Sequence, residues 1–142
     1  VDEAVRDGMA IAEFPTTMDA AQACHSAGLA VLMGAPNVVR GKSHNGNISA
    51  TELAKAGVLD VISSDYVPFA MLYAAFLLPE RADNVTLPQS MSMVTRRPAA
   101  AANLADRGEI AVGKRADLVR VRRRPDDVPV VRGVWRQGNR VS

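Results

Sequence analysis

Three largely apolar runs, "GMAIAEF", "LAVLMGA" and "VLDVISSD", constrain the fold more than any other feature of the chain. A strand with one wet face alternates apolar and polar residues; these runs do not, so both of their faces must be covered. Helical stretches lie between them. "TTMDAAQACHSAG" has Thr16 three residues before Asp19 and Gly28 as a stop, and "SATELAKAG" has Ser49 and Glu52 at capping-box spacing with Gly57 behind. "PFAMLYAAFLL" supplies a third helix. Strand and helix in alternation predict parallel β/α units. Three such units cannot close a barrel and leave sheet edges bare. With "VDEAVRDG" reading as the tail of a helix and no initiator methionine before Val1, the chain reads as the back end of something longer.

Beyond the third helix the pattern changes. "TLPQSMSMVTRRPAAAANL" predicts helix with a break before Pro98, because proline disfavours a helical conformation at Arg97. "GEIAVGKRADLVRVR" and "PVVRGVWRQGNRVS" read as β-rich, the second as a hairpin turning at Gln137, Gly138 and Asn139. Trp135 is expected to pack between this tail and the helices. The predicted division is therefore 1–105 for the β/α units with their closing helices, and 106–142 for the β-rich tail.

Composition narrows the function classes. The chain has 142 residues, 48% apolar and 23% charged, enough for one domain with a real core. No apolar run is long enough to span a bilayer, and the acidic start is unlike a secretory leader, so no membrane partner is expected. One cysteine, Cys24, excludes an internal disulfide framework and fits a reducing cytoplasm. The net charge is +2, but aromatics make up only 4%, which leaves few stacking platforms for nucleic acid. The cluster Arg120, Arg122, Arg123 and Arg124 reads as a solvated strand end.

Three places could carry chemistry. Asp65 closes the third apolar run, at the carboxyl end of a buried parallel strand, where β/α barrels collect their functional groups. A carboxylate there needs a cation or donors, or else it caps the following helix. The second place is "GAPNVVRGKSHNGN", residues 34–47, read as a long irregular loop after the second strand. In it Arg40 can fork onto two phosphate oxygens, Lys42 adds a point charge and His44 a donor or proton carrier, with Asn37 and Ser43 as neutral donors. Its glycines let the backbone approach an anion. The alternative is a polar surface loop with its charges in water. Glu13, in "AEFPTT", stands near the end of the first strand and could bind metal or simply pair with a basic neighbour. Cys24 and His25 are adjacent on a helix and so point apart, which makes a catalytic pair of them a poor reading. The chain has no HxH, HExxH, CxxC or GxxxxGK[ST] pattern, and two histidines cannot build a His-rich dinuclear site.

The tail phrase "DRGEIAVGKRADLV", followed by "VVRGVWRQGNRV", resembles the closing segment of amidohydrolase-superfamily enzymes. "EFPTT", "VLMGAPNVVRGKSHNGN" and "LDVISSDYVP", in that order, narrow the resemblance to the PhnM family of alpha-D-ribose 1-methylphosphonate 5-triphosphate diphosphatases. That resemblance implies the C-terminal part of a metal-dependent (β/α)8 hydrolase barrel, about three β/α units, followed by a small β-rich segment. It implies hydrolysis of the triphosphate to the 5-phosphate and diphosphate in phosphonate catabolism, with a polyphosphorylated ribose phosphonate as the small-molecule partner. It also implies a divalent, zinc-like and dinuclear metal centre, with Asp65 as metal ligand and proton acceptor after the eighth strand. Glu13 falls where many members carry a histidine, and the remaining ligands would lie before Val1. By charge and position, the loop after strand seven would hold the polyphosphate through Arg40, Lys42 and His44.

Two rival expectations stand beside it. The chain could be a catalytically incomplete module, pairing its edges in a homo-oligomer or with a missing N-terminal part. It could also be a cyclic amide hydrolase, although a small neutral ring gives Arg40 and Lys42 nothing to bind.

Overall fold

The computed structural model describes residues 1–41, 46–124 and 128–142. After a short helix α1 (Asp2–Arg6), strands β1 (Ile11–Glu13), β2 (Ala30–Gly34) and β3 (Val61–Ser63) form a parallel sheet in that spatial order. Ile11 lies opposite Ala30, and Leu32 opposite Val61. From Val31 to Gly34 every residue of β2 is buried, as the unbroken apolar run predicts for a strand covered on both faces.

Helix α2 (Met18–Ser26) links β1 to β2, while α3 (Ala35–Arg40) and α4 (Ala50–Lys55) lie between β2 and β3. Val31, Met33, Val38, Leu53, Ile62 and Leu78 share one core cluster. Each such side chain contributes roughly 1.5–3 kcal/mol by leaving water. Helix α5 (Ala70–Arg81) packs on α3, followed by α6 (Leu87–Met93) and α7 (Arg96–Ala101). Ser90, fully buried between helices, donates its hydroxyl to the Ala75 carbonyl at 2.7 Å. No helix among the described residues is long and apolar enough to cross a membrane.

Several sequence expectations are corrected. Thr17, not Thr16, caps α2 and accepts the Ala20 N–H. The helical break does precede Pro98 but falls at Val94 and Thr95, and Arg97 is helical; Pro98 sits in the first turn of α7, where its missing N–H leaves no bond unmade. The segment after β2 is not irregular throughout. Its first part is α3, with Pro36 at the helix start and Gly41 in the left-handed conformation at φ 75° as its C-cap.

The second sheet is antiparallel: β4 (Leu118–Arg122), β5 (Val130–Arg136) and β6 (Asn139–Arg140). Regular pairing starts only at Leu118. Upstream of it the Arg115 N–H bonds to the Asp106 carbonyl and Lys114 closes a turn on Ala111, so those groups serve a loop rather than a ladder. The hairpin turns at Gln137 and Gly138, at φ 50° and 80°, the two positive values a tight type I′ turn requires. Trp135 covers Gly133 of its own strand, where an added Cβ would stand 2.7 Å from the ring, and Arg120 and Arg140 flank it at 6.0 Å. Arg123 is not merely solvated: it pairs with Glu80 and lies over the Phe76 ring, both on α5.

Candidate functional site

Because β1, β2 and β3 run parallel, their carboxyl ends, at Glu13, Gly34 and Ser63, share one edge of the sheet. A cavity of about 200 Å³ opens there. Gly34, Asn37 and Arg40 form one wall from β2 and α3, and Asp65 and Tyr66 form another after β3. Phe14 and Pro15 after β1, Met33 of β2, and Asn47 and Ile48 before α4 also line it. Asp65 and Arg40, 25 positions apart in sequence, therefore face one space.

Asp65 adopts φ 52°, a left-handed conformation that aspartate tolerates better than most residues. One carboxylate oxygen accepts the Tyr66 N–H at 2.9 Å. Asp65 does not cap the next helix, since α5 begins only at Ala70 with Phe69 before it. Arg40 ends α3, and its guanidinium lies 5.9 Å from the centre of the Tyr66 ring. An aromatic face at that distance attracts the cation, and both side chains line the cavity.

Asn37 has a second task beside lining the cavity. Its side-chain oxygen accepts the Ala50 N–H at 2.8 Å, satisfying the first donor of α4 and fixing that helix against α3. Glu13 lies at the correct end of β1 but is exposed and forms no part of the cavity wall; Phe14 and Pro15 take that place. Lys42, Ser43 and His44 lie outside the described residues.

Sequence reasoning missed Phe14, Tyr66, Asn47 and Ile48 as wall residues. A signal existed for the first two: each directly follows an acidic residue at the end of an apolar run.

At the opposite, amino end of the strands lies a second cavity of about 430 Å³, beside Asp60, His25 and Arg97. Its carboxylate is already engaged. Asp60 Oδ2 accepts the Val31 N–H at 3.0 Å and meets His25 Nδ1 at 2.9 Å, while Arg97 stands 3.7 Å from Oδ1. These contacts tie α2 and α7 to the sheet, and this end of a β/α array is the one that serves stability.

A model of the amidohydrolase family matches residues 18–142. The chain belongs to the amidohydrolase family. Over 99% of its length it is 52% identical to the alpha-D-ribose 1-methylphosphonate 5-triphosphate diphosphatase of Escherichia coli K12, and it covers 37% of that relative. The chain thus spans little more than a third of the curated relative it matches, within that relative's C-terminal portion. Two solved structures share the fold. One, an uncharacterized protein, superimposes with a TM-score of 0.65 at 22% identity, over 97% of this chain and 42% of that one. The other, an amidohydrolase from Thermotoga maritima, gives 0.61 at 18% identity, over 93% of this chain and 43% of its own.

Amidohydrolases generally use divalent metals. Among the described residues no three His, Cys, Asp or Glu side chains converge to hold one. Asp65 is one carboxylate with one oxygen already bonded to backbone, and by itself it does not make a metal site.

Proposed function

We propose that the chain provides the carboxylate and cation rim of a phosphoanhydride hydrolase that takes alpha-D-ribose 1-methylphosphonate 5-triphosphate to the 5-phosphate and diphosphate. The observation that carries this is the convergence of Asp65 and Arg40 on one cavity, in an amidohydrolase 52% identical to such a diphosphatase. A cation beside a carboxylate suits a ligand that is both anionic and attacked by water.

In this reading water attacks the α-phosphorus, the bond to the bridging oxygen breaks, and diphosphate departs. Asp65 accepts the proton that water loses. Arg40 offers two parallel donors to the oxygens on which charge grows as diphosphate leaves. Asn37 fixes α4 beside the cavity, and the Tyr66 ring lies beside the Arg40 guanidinium in its lining. A divalent metal held in part by Asp65 would supply Lewis-acid chemistry, its other ligands coming from outside the described residues.

The test is Asp65→Asn in the full-length protein, followed by diphosphate release and thermal unfolding. Loss of turnover by about 1,000-fold with an unchanged unfolding midpoint is expected, as for removal of a general base. A variant retaining near-normal kcat would overturn the assignment.

A second reading is favoured by the sheet itself. Among the described residues β1 and β3 each pair on one side only, which suits a module that completes its sheet by joining another copy or another chain.

A further inference from the structure

Gly34 is the last residue of β2, and nothing in its own backbone calls for glycine: φ is −77° and ψ 139°, open to any side chain. What calls for glycine is Asp65. A Cβ on residue 34 would stand 2.5 Å from Asp65 Oδ2, 2.9 Å from its Cβ and 3.1 Å from its Cγ. Rotation about the side-chain bonds can swing Oδ2 away but cannot move Cβ. Relief would need the backbone at residue 65 to shift, and that backbone already sits at φ 52° with its neighbour's N–H bonded to the carboxylate.

We infer that Gly34 is a positioning residue: its missing side chain is the space in which the Asp65 carboxylate rests against the end of β2. The neighbouring strand thereby fixes where that carboxylate enters the cavity. The catalytic part of this inference rests on the diphosphatase reading; the positional part does not.

The test is a cycle of Gly34→Ala, Asp65→Gly and the double variant in the full-length protein. Gly34→Ala should lower the unfolding midpoint by about 4 °C or more, as overpacking against a fixed neighbour does. In the Asp65→Gly background, where the colliding atoms are gone and glycine suits the positive φ, the same substitution should cost little. Equal cost in both backgrounds would overturn the inference. Activity supplies the second reading. Gly34→Ala should lower kcat by about 100-fold with KM changed less than about threefold, the mark of a displaced reacting group rather than a lost binding contact. A rise in KM at constant kcat would also overturn the inference. Strong coupling in unfolding while both Gly34→Ala and Asp65→Asn keep full activity would support the placement of Asp65 and refute the diphosphatase role instead.

Discussion

Arg40 shows why single residues at this site cannot be judged by charge alone. It ends α3, lies over the Tyr66 ring and shares a cavity with Asp65. Lysine would keep the charge but not the planar fork or the fit to the ring. Under the proposed diphosphatase reading, Arg40→Lys should therefore raise KM for the triphosphate by about 10-fold, one lost charge-assisted bond, with a smaller effect on kcat. Steady-state kinetics on the full-length protein decide it, and an unchanged KM would show that Arg40 does not touch the ligand. The residues that sequence alone could single out were those whose chemistry is conspicuous at a strand end, such as Asp65. Asn37 was legible as a donor but not as the partner of the Ala50 N–H, because that bond joins two helices and leaves no local pattern. Gly34 was legible only as a glycine that lets the backbone approach an anion. The reason for it lies in Asp65, two residues past the end of the neighbouring strand.

Among the elements, α4 is the one whose start is written most plainly. Ser49 accepts the Glu52 N–H at 3.1 Å, and Glu52 in return accepts the Ser49 N–H at 2.9 Å and its hydroxyl at 2.6 Å. The Ser49 hydroxyl, then its N–H, hold the Glu52 carboxyl below its ordinary value of 4.5. A folded value below the unfolded one means stabilisation that is complete above pH 4.5 and is lost as pH falls through the folded value. Denaturant midpoints measured down a pH series should fall across that window less in Glu52→Gln than in the parent. Identical slopes would mean the box does not couple to folding. Ser49→Ala should cost about 1 kcal/mol at neutral pH, the usual worth of an N-cap. The same local grammar was present for α3, in Pro36 near its start and Gly41 behind it, but the density of polar residues masked it. The displaced break at Val94 and Thr95 was not legible, since Pro98 is tolerated in a first turn and the sequence does not fix where that turn starts.

At the scale of the molecule, parallel pairing was legible from the three apolar runs, although only β2 is buried along nearly its whole length; β1, at the sheet edge, is half-buried and ends exposed at Glu13. The extent of the β-rich tail was not, since "GEIAV" has strand-like composition while the backbone groups that follow it bond within loops. The same parallel order creates a physical demand. Among the described residues β1 and β3 each have a single neighbour, and an unpaired strand edge presents donors and acceptors that favour another chain. Exposed apolar side chains add to it: Phe69 is 84% exposed, Ile110 89% and Tyr66 64%. The 142-residue chain alone should therefore associate, its sedimentation coefficient rising with concentration. Substituting Glu13 in β1 with proline separates edge pairing from patch contact. The Ala30 N–H bonds to the Ala10 carbonyl and the Phe14 N–H to the Leu32 carbonyl, so Ala12 between them also faces β2 while the Glu13 N–H faces the open edge; the sheet should survive and association weaken. A chain that sediments as one monomeric species across a wide concentration range would remove the edge-pairing reading, and would leave the hydrolase reading as the sole account of why this rim is built as it is.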